Sequence, residues 1–147
     1  MQPNHAARPK GFYSIIFLLF LIGLFITAYW TDFFTSGTVN ITASRDYINF
    51  QETFPLADSW AAFAAFLSIV GLLKRKSWGV LFGLISGSSV IMIGLMDVLY
   101  NINQGNYKLV PANSAMNIEL FVNLFCLLSG TIIIIFLWRN RTLLTSQ

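Results

Sequence analysis

Few side chains in this sequence can move a proton or hold a ligand, and the informative ones fall inside long apolar runs. Asp97 and Glu119 are carboxylates within such runs, and Asn123 lies one helical turn beyond Glu119 on the same face. An ionisable group inside a membrane span costs about 2.5–3.5 kcal/mol at the bilayer centre, so it is a functional candidate by default. Two carboxylates sharing one low-dielectric site would suit proton relay, capture of a cation from the outer side, or hydrogen bonding to a lipid head group. Asp58, Trp60, Tyr100 and Asn117 are placed to line the mouth of such a site. Depth is the counterweight: Asp97 lies about 30 Å along a helix axis from Ser77, near the far headgroups, and Glu119 sits about one turn below the same boundary. Asp58 has an ordinary reading as well. It follows Phe54-Pro55 and precedes Ser59-Trp60-Ala61, where an acid suits the start of a helix.

Other chemistry lacks its parts. The one cysteine is Cys126 and the one histidine is His5. An intrachain disulfide, a redox pair, a His/Cys metal cluster, haem held between two histidines and Cys–His catalysis are therefore excluded. No cofactor and no metal are expected. Cys126 sits among leucines and reads with Met92 and Met96 as packing. No basic patch interleaves with aromatics, so nucleic acid is not an expected partner.

The elements that must position these residues are membrane helices. The 147 residues are 56% hydrophobic and only 10% charged, against about 25% charged in a soluble domain. Four apolar runs, residues 12–34, 57–73, 77–100 and 115–138, approach the roughly 20 residues that cross a bilayer. The first is too long for the core of a cleaved signal, which is about 7–15 residues. The expected fold is one all-α membrane domain, an antiparallel four-helix transmembrane bundle.

Orientation follows from Lys and Arg. Arg8, Lys10, Lys74, Arg75, Lys76, Arg139 and Arg141 fall on one side, and only Arg45 and Lys108 on the other. The positive-inside rule then puts both termini in the cytoplasm. Trp30 and Trp60 fall at the outer boundary, Trp78 and Trp138 at the inner one, as in an aromatic belt. All six acids lie in the outer loop, 35–56, or at outer ends of spans. That loop contains a β-prone stretch, 38–42, and a mixed polar and aromatic stretch, 45–54, suited to the membrane surface. Arg45 is the one basic residue able to pair with the carboxylates, if the loop folds back.

Gly79, Gly83 and Gly87 recur every fourth residue in the third span, with Gly94 one heptad on, and Ala57, Ala61, Ala65 and Ser68 form a second small stripe. Such stripes let helices approach closely in lipid, here across the short hairpin of spans two and three or, alternatively, at a homodimer seam. Asp97 shares a stripe with Gly83 and Ser86, Glu119 with Asn123, Cys126 and Gly130, and Gly23 with Thr27 and Thr31. Polar and small residues on common faces predict a polar pocket in the outer half of the bundle.

The strings Phe54-Pro55-Leu56-Ala57-Asp58-Ser59-Trp60 and Gly94-Leu95-Met96-Asp97-Val98-Leu99-Tyr100-Asn101, with Trp138-Arg139, resemble a family of small, uncharacterised four-span bacterial membrane proteins. The likeness runs over residues 12–141 and implies a bacterial inner membrane. At fold level the chain also resembles the vitamin K epoxide reductase and sterol isomerase groups. The first needs paired cysteines and the second an intramembrane histidine, and both are absent here. The expected function is non-enzymatic binding, in the bilayer, of a lipid or apolar ligand or of a partner membrane protein. The alternatives are an oligomeric ion- or proton-coupled transporter and a lipid-modifying enzyme using Asp97 or Glu119 as acid–base.

Overall fold

The computed structural model describes residues 7–145; His5 lies outside the described residues. Among the described residues the chain is all-helical, with no strand. The elements are α1 (Phe12–Thr35), α2 (Arg45–Gln51), α3 (Pro55–Leu73), α4 (Ser77–Gln104), a 3-10 turn (Asn106–Leu109) and α5 (Ser114–Leu144). Phe12–Thr35, Arg45–Leu73 (α2 and α3 together, with a turn at 52–54 between them), Ser77–Gln104 and Ser114–Leu144 are four stretches long and apolar enough to cross a membrane.

Local chemistry sets the boundaries. Pro55 occupies the first turn of α3, where its missing N–H costs nothing. Asn113 caps α5 by accepting from the Met116 N–H at 3.0 Å. Ser114 is the first helical residue. Gly105 ends α4 at φ 69°, a left-handed conformation that glycine adopts without a Cβ clash. The basic turn Lys74-Arg75-Lys76 closes α3 through the Lys76 N–H donating to the Gly71 carbonyl at 2.8 Å.

Packing runs in a ring: α1 on α3, α3 on α4, α4 on α5, with α5 touching α1 only lightly. One apolar core, built on Leu19, Ile22, Ala65, Leu72, Ile133 and Leu137, threads the bundle. Large apolar side chains such as Phe17, Phe63, Leu81, Leu128 and Ile135 cover its outside. Between helices that span a bilayer there is no hydrophobic drive, and close packing and interhelical hydrogen bonds hold them. Ser68 Oγ donates to the Gly79 carbonyl at 2.8 Å and Ser86 Oγ to the Ala61 carbonyl at 3.0 Å, both joining α3 to α4.

The glycines divide their work between two neighbours. Gly79 lies against the backbone of Gly71 and Leu72 in α3, and Gly83 against Ser68 of α3 and Leu137 of α5. Gly87 and Gly94 instead face Gly130 and Cys126 of α5. A four-residue repeat gains about 40° per step on a helix of 3.6 residues per turn, so the stripe winds from one partner to the other. Ala61 and Ala65 are fully buried, while Ala57 is exposed.

Candidate ligand-binding cavity

The polar residues gather at the end of the bundle that carries α2. Residues 36–54 fold back over this end. Asp32, in the last turn of α1, starts the return by accepting from Ser36 Oγ at 3.0 Å, Thr38 Oγ1 at 2.7 Å and the Val39 N–H at 2.9 Å. The β-prone residues 38–42 form no strand and pass as a turn followed by a bend, with Val39 packed on Trp30, Phe33 and Phe54. Ser44 then caps α2 by accepting from the Tyr47 N–H. The lid turns Tyr47 and Gln51 inward, both buried. Phe50 stacks on Tyr100, rings 3.9 Å apart and nearly parallel. Arg45 does not pair with the carboxylates: it stands exposed at the start of α2.

Beneath the lid, Glu119 is 1% exposed. One carboxylate oxygen accepts from the Tyr29 hydroxyl and the other from Asn101 Nδ2, each at 3.4 Å. Asn101 Oδ1 in turn accepts from Asn106 Nδ2 at 2.8 Å. Asn123, also 1% exposed, donates to the Tyr107 hydroxyl oxygen at 3.2 Å, and its own side-chain oxygen has no partner. Burial pushes the Tyr107 hydroxyl above its ordinary value, so it keeps its proton at neutral pH.

Asp97 is buried beside this network, close enough to Glu119 and Asp58 for their charges to interact. Asp58 does not cap α3, whose start carries no side-chain cap. It sits in the first turn, faces inward and accepts from the Trp30 indole N–H at 2.7 Å, leaving its second oxygen, Oδ1, buried without a partner. Trp30 is therefore a buried site residue rather than only a boundary marker.

Asp58 and Asp97 border a cavity of about 360 Å³. Its walls are chiefly apolar: Ile22 and Ile26 of α1, Val90 and Ile93 of α4, Phe121 and Phe125 of α5, with Val39 and Phe54 from the lid side. Exposed residues Phe25, Ile118 and Phe121 also line it, so it reaches the outside of the bundle between α1 and α5, the weakest contact in the ring.

The structure thus brings Asp97, Glu119, Asn123 and Asp58 to one end of the interior. Tyr100 serves as a seat for the lid. Trp60 points away, 48% exposed and beside Phe63. Asn117 braces a turn by donating to the Pro111 carbonyl at 2.9 Å. Thr27 and Thr31, expected on an inward polar stripe, are exposed and donate to the carbonyls of Gly23 and Thr27 one turn back. Sequence reasoning missed Tyr29, Asn101, Tyr47 and Tyr107. Asn101 had a signal, standing four residues after Asp97 on one face. Among the described residues no three His, Cys, Asp or Glu side chains converge as a metal site. No protein-family model matches this chain, and neither does any curated protein or solved structure.

Proposed function

We propose that the chain is an integral membrane protein of four antiparallel spans, both termini cytoplasmic in a bacterial inner membrane, that binds a lipid or other apolar ligand in the cavity beneath α2. The carrying observation is that cavity. Its size falls in the range of small-molecule sites, about 300–1,000 Å³, and its apolar walls open sideways between α1 and α5, where membrane helices meet lipid tails. The distribution of Lys and Arg supports this orientation, in which the lid lies on the outer side.

Transport fits less well. From the cavity to the basic turn the interior is filled by Leu19, Leu72, Ile133 and Leu137, and its buried hydroxyls, Ser68, Ser86 and Ser129, each donate to a backbone carbonyl. Among the described residues no chain of free polar groups continues toward the basic end.

Native mass spectrometry of the full chain, purified in a neutral maltoside, tests the reading. A species of defined mass should travel with the protein at one per chain. Ile93→Trp, which fills the cavity, should lose it while unfolding at nearly the wild-type temperature. Wild-type protein with no stoichiometric companion, or a companion retained by Ile93→Trp, would overturn the proposal.

A further inference from the structure

We infer that the cavity selects a cationic amphiphile, an ammonium group on an apolar body, whose charged end pairs with Asp58 and Asp97. This inference rests on the apolar-cavity reading above and adds the charge of the ligand.

The argument is one of missing counter-charge. Asp58 and Asp97 come from different helices, α3 and α4, and meet at the same cavity. Asp58 is 8% exposed, and its Oδ1 is buried with no hydrogen-bond partner. Among the described residues no hydrogen bond reaches the Asp97 carboxylate, although the side chain is buried. A buried charge left without a partner is strongly destabilising. Each element packed around the cavity supplies acid and no base: Asp32 from α1, Asp58 from α3, Asp97 from α4, and Glu119 from α5 behind it. Arg45, the lid's basic residue, and Lys108, beyond α4, both stand exposed at the surface.

An ammonium supplies what this geometry lacks. It has N–H donors for Asp58 Oδ1 and Asp97 together, and it can lie against the aromatic faces of Trp30, Tyr29 and Phe54, which attract cations. An anionic ligand would meet repulsion from these carboxylates. A bare metal ion would leave the apolar walls uncovered. The walls call for a hydrocarbon body, and the side opening between α1 and α5 admits one from the lipid phase. A free lipophilic amine fits better than an aminophospholipid, whose phosphate would sit beside the same acids.

The test uses three probes of matched shape: 4-phenylbutylamine, 4-phenylbutanol and 4-phenylbutyrate. Binding to the full chain in nanodiscs of phosphatidylcholine is measured by equilibrium dialysis at pH 7. The amine should bind saturably, one per chain, at least tenfold tighter than the alcohol, and the carboxylate should not bind. Asp58→Asn keeps an acceptor for the Trp30 N–H, so it should weaken the amine about tenfold and leave the alcohol unchanged. Asp97→Asn should do the same and replaces it if that variant does not fold. Adding phosphatidylethanolamine to the discs identifies the source. Competition with the amine supports a head-group ammonium, and no competition supports a free amine. Equal binding of amine and alcohol, or amine binding indifferent to both Asn variants, overturns the inference while the apolar cavity stands. Failure of all three probes overturns both.

Discussion

At the scale of single residues, two of the site's buried acids, Asp58 and Glu119, accept from neutral donors. The Trp30–Asp58 contact is the shortest of these, and it ties α1 to α3 inside the bundle. Trp30→Phe keeps most of the ring but removes the N–H, leaving Asp58 with neither oxygen bonded. Loss of a partner from a buried polar group costs about 1–3 kcal/mol. Thermal unfolding in maltoside should therefore show a clearly lowered midpoint, and an unchanged one would mean that the indole N–H contributes little. Tyr107 offers a pH test outside the spans. Its hydroxyl is raised above the ordinary 10.0 by burial. As pH rises, the unfolded chain therefore loses this proton before the folded one does. The stability it contributes is whole below pH 10 and declines above it. Tyr107→Phe should have a shallower loss of stability above pH 10 than wild type, read as midpoint against pH. Identical alkaline slopes would count against that assignment.

At the scale of elements, Gly79 at the α3–α4 contact is more strictly required than Gly87 at the α4–α5 contact. A Cβ at Gly79 would run into the backbone of Gly71 and Leu72, which cannot rotate away. At Gly87 the nearest atom is a flexible Ile134 side chain, with the Gly130 carbonyl slightly farther off. Gly79→Ala should cost about 1–3 kcal/mol as overpacking, and Gly87→Ala distinctly less, by comparison of unfolding midpoints. Equal costs would mean that the α3–α4 turn yields more readily than its backbone contacts imply. The small-residue stripes were legible in the sequence because small-xxx-small spacing is a direct requirement of close packing. Which neighbour each glycine meets was not legible. That depends on the drift of a four-residue repeat around a 3.6-residue helix and on where α5 stands. The lid was less legible still. α2 has seven residues, too few for a periodic signal, and the inward turn of Tyr47 is decided by the surface it lands on.

For the whole molecule, the proposed orientation has a direct test. In a Cys126→Ser background, Asn49→Cys on the exposed face of α2 should react with a membrane-impermeant maleimide added to intact cells. Lys76→Cys in the basic turn should react only after lysis. The reverse pattern would invert the topology and place the lid in the cytoplasm. Because α2 and the 3-10 turn sit at one end of the bundle and the basic turn at the other, the two labels read opposite ends of the same structure.

The sequence alone determined that this chain is four long apolar helices with a few acids near one end, because helix length and hydrophobic content follow from composition over about 20 residues. It also carried the inward placement of Asp97, Glu119 and Asn123, since each shares a helical face with small residues. Only the tertiary structure decided that Asp58 joins Trp30 instead of capping its helix. The same holds for the outward turn of Trp60 and of the threonines of α1, and for the cavity that α1 and α5 leave between them. Those outcomes depend on which faces meet, and residues distant in sequence contact one another only after all the helices have packed.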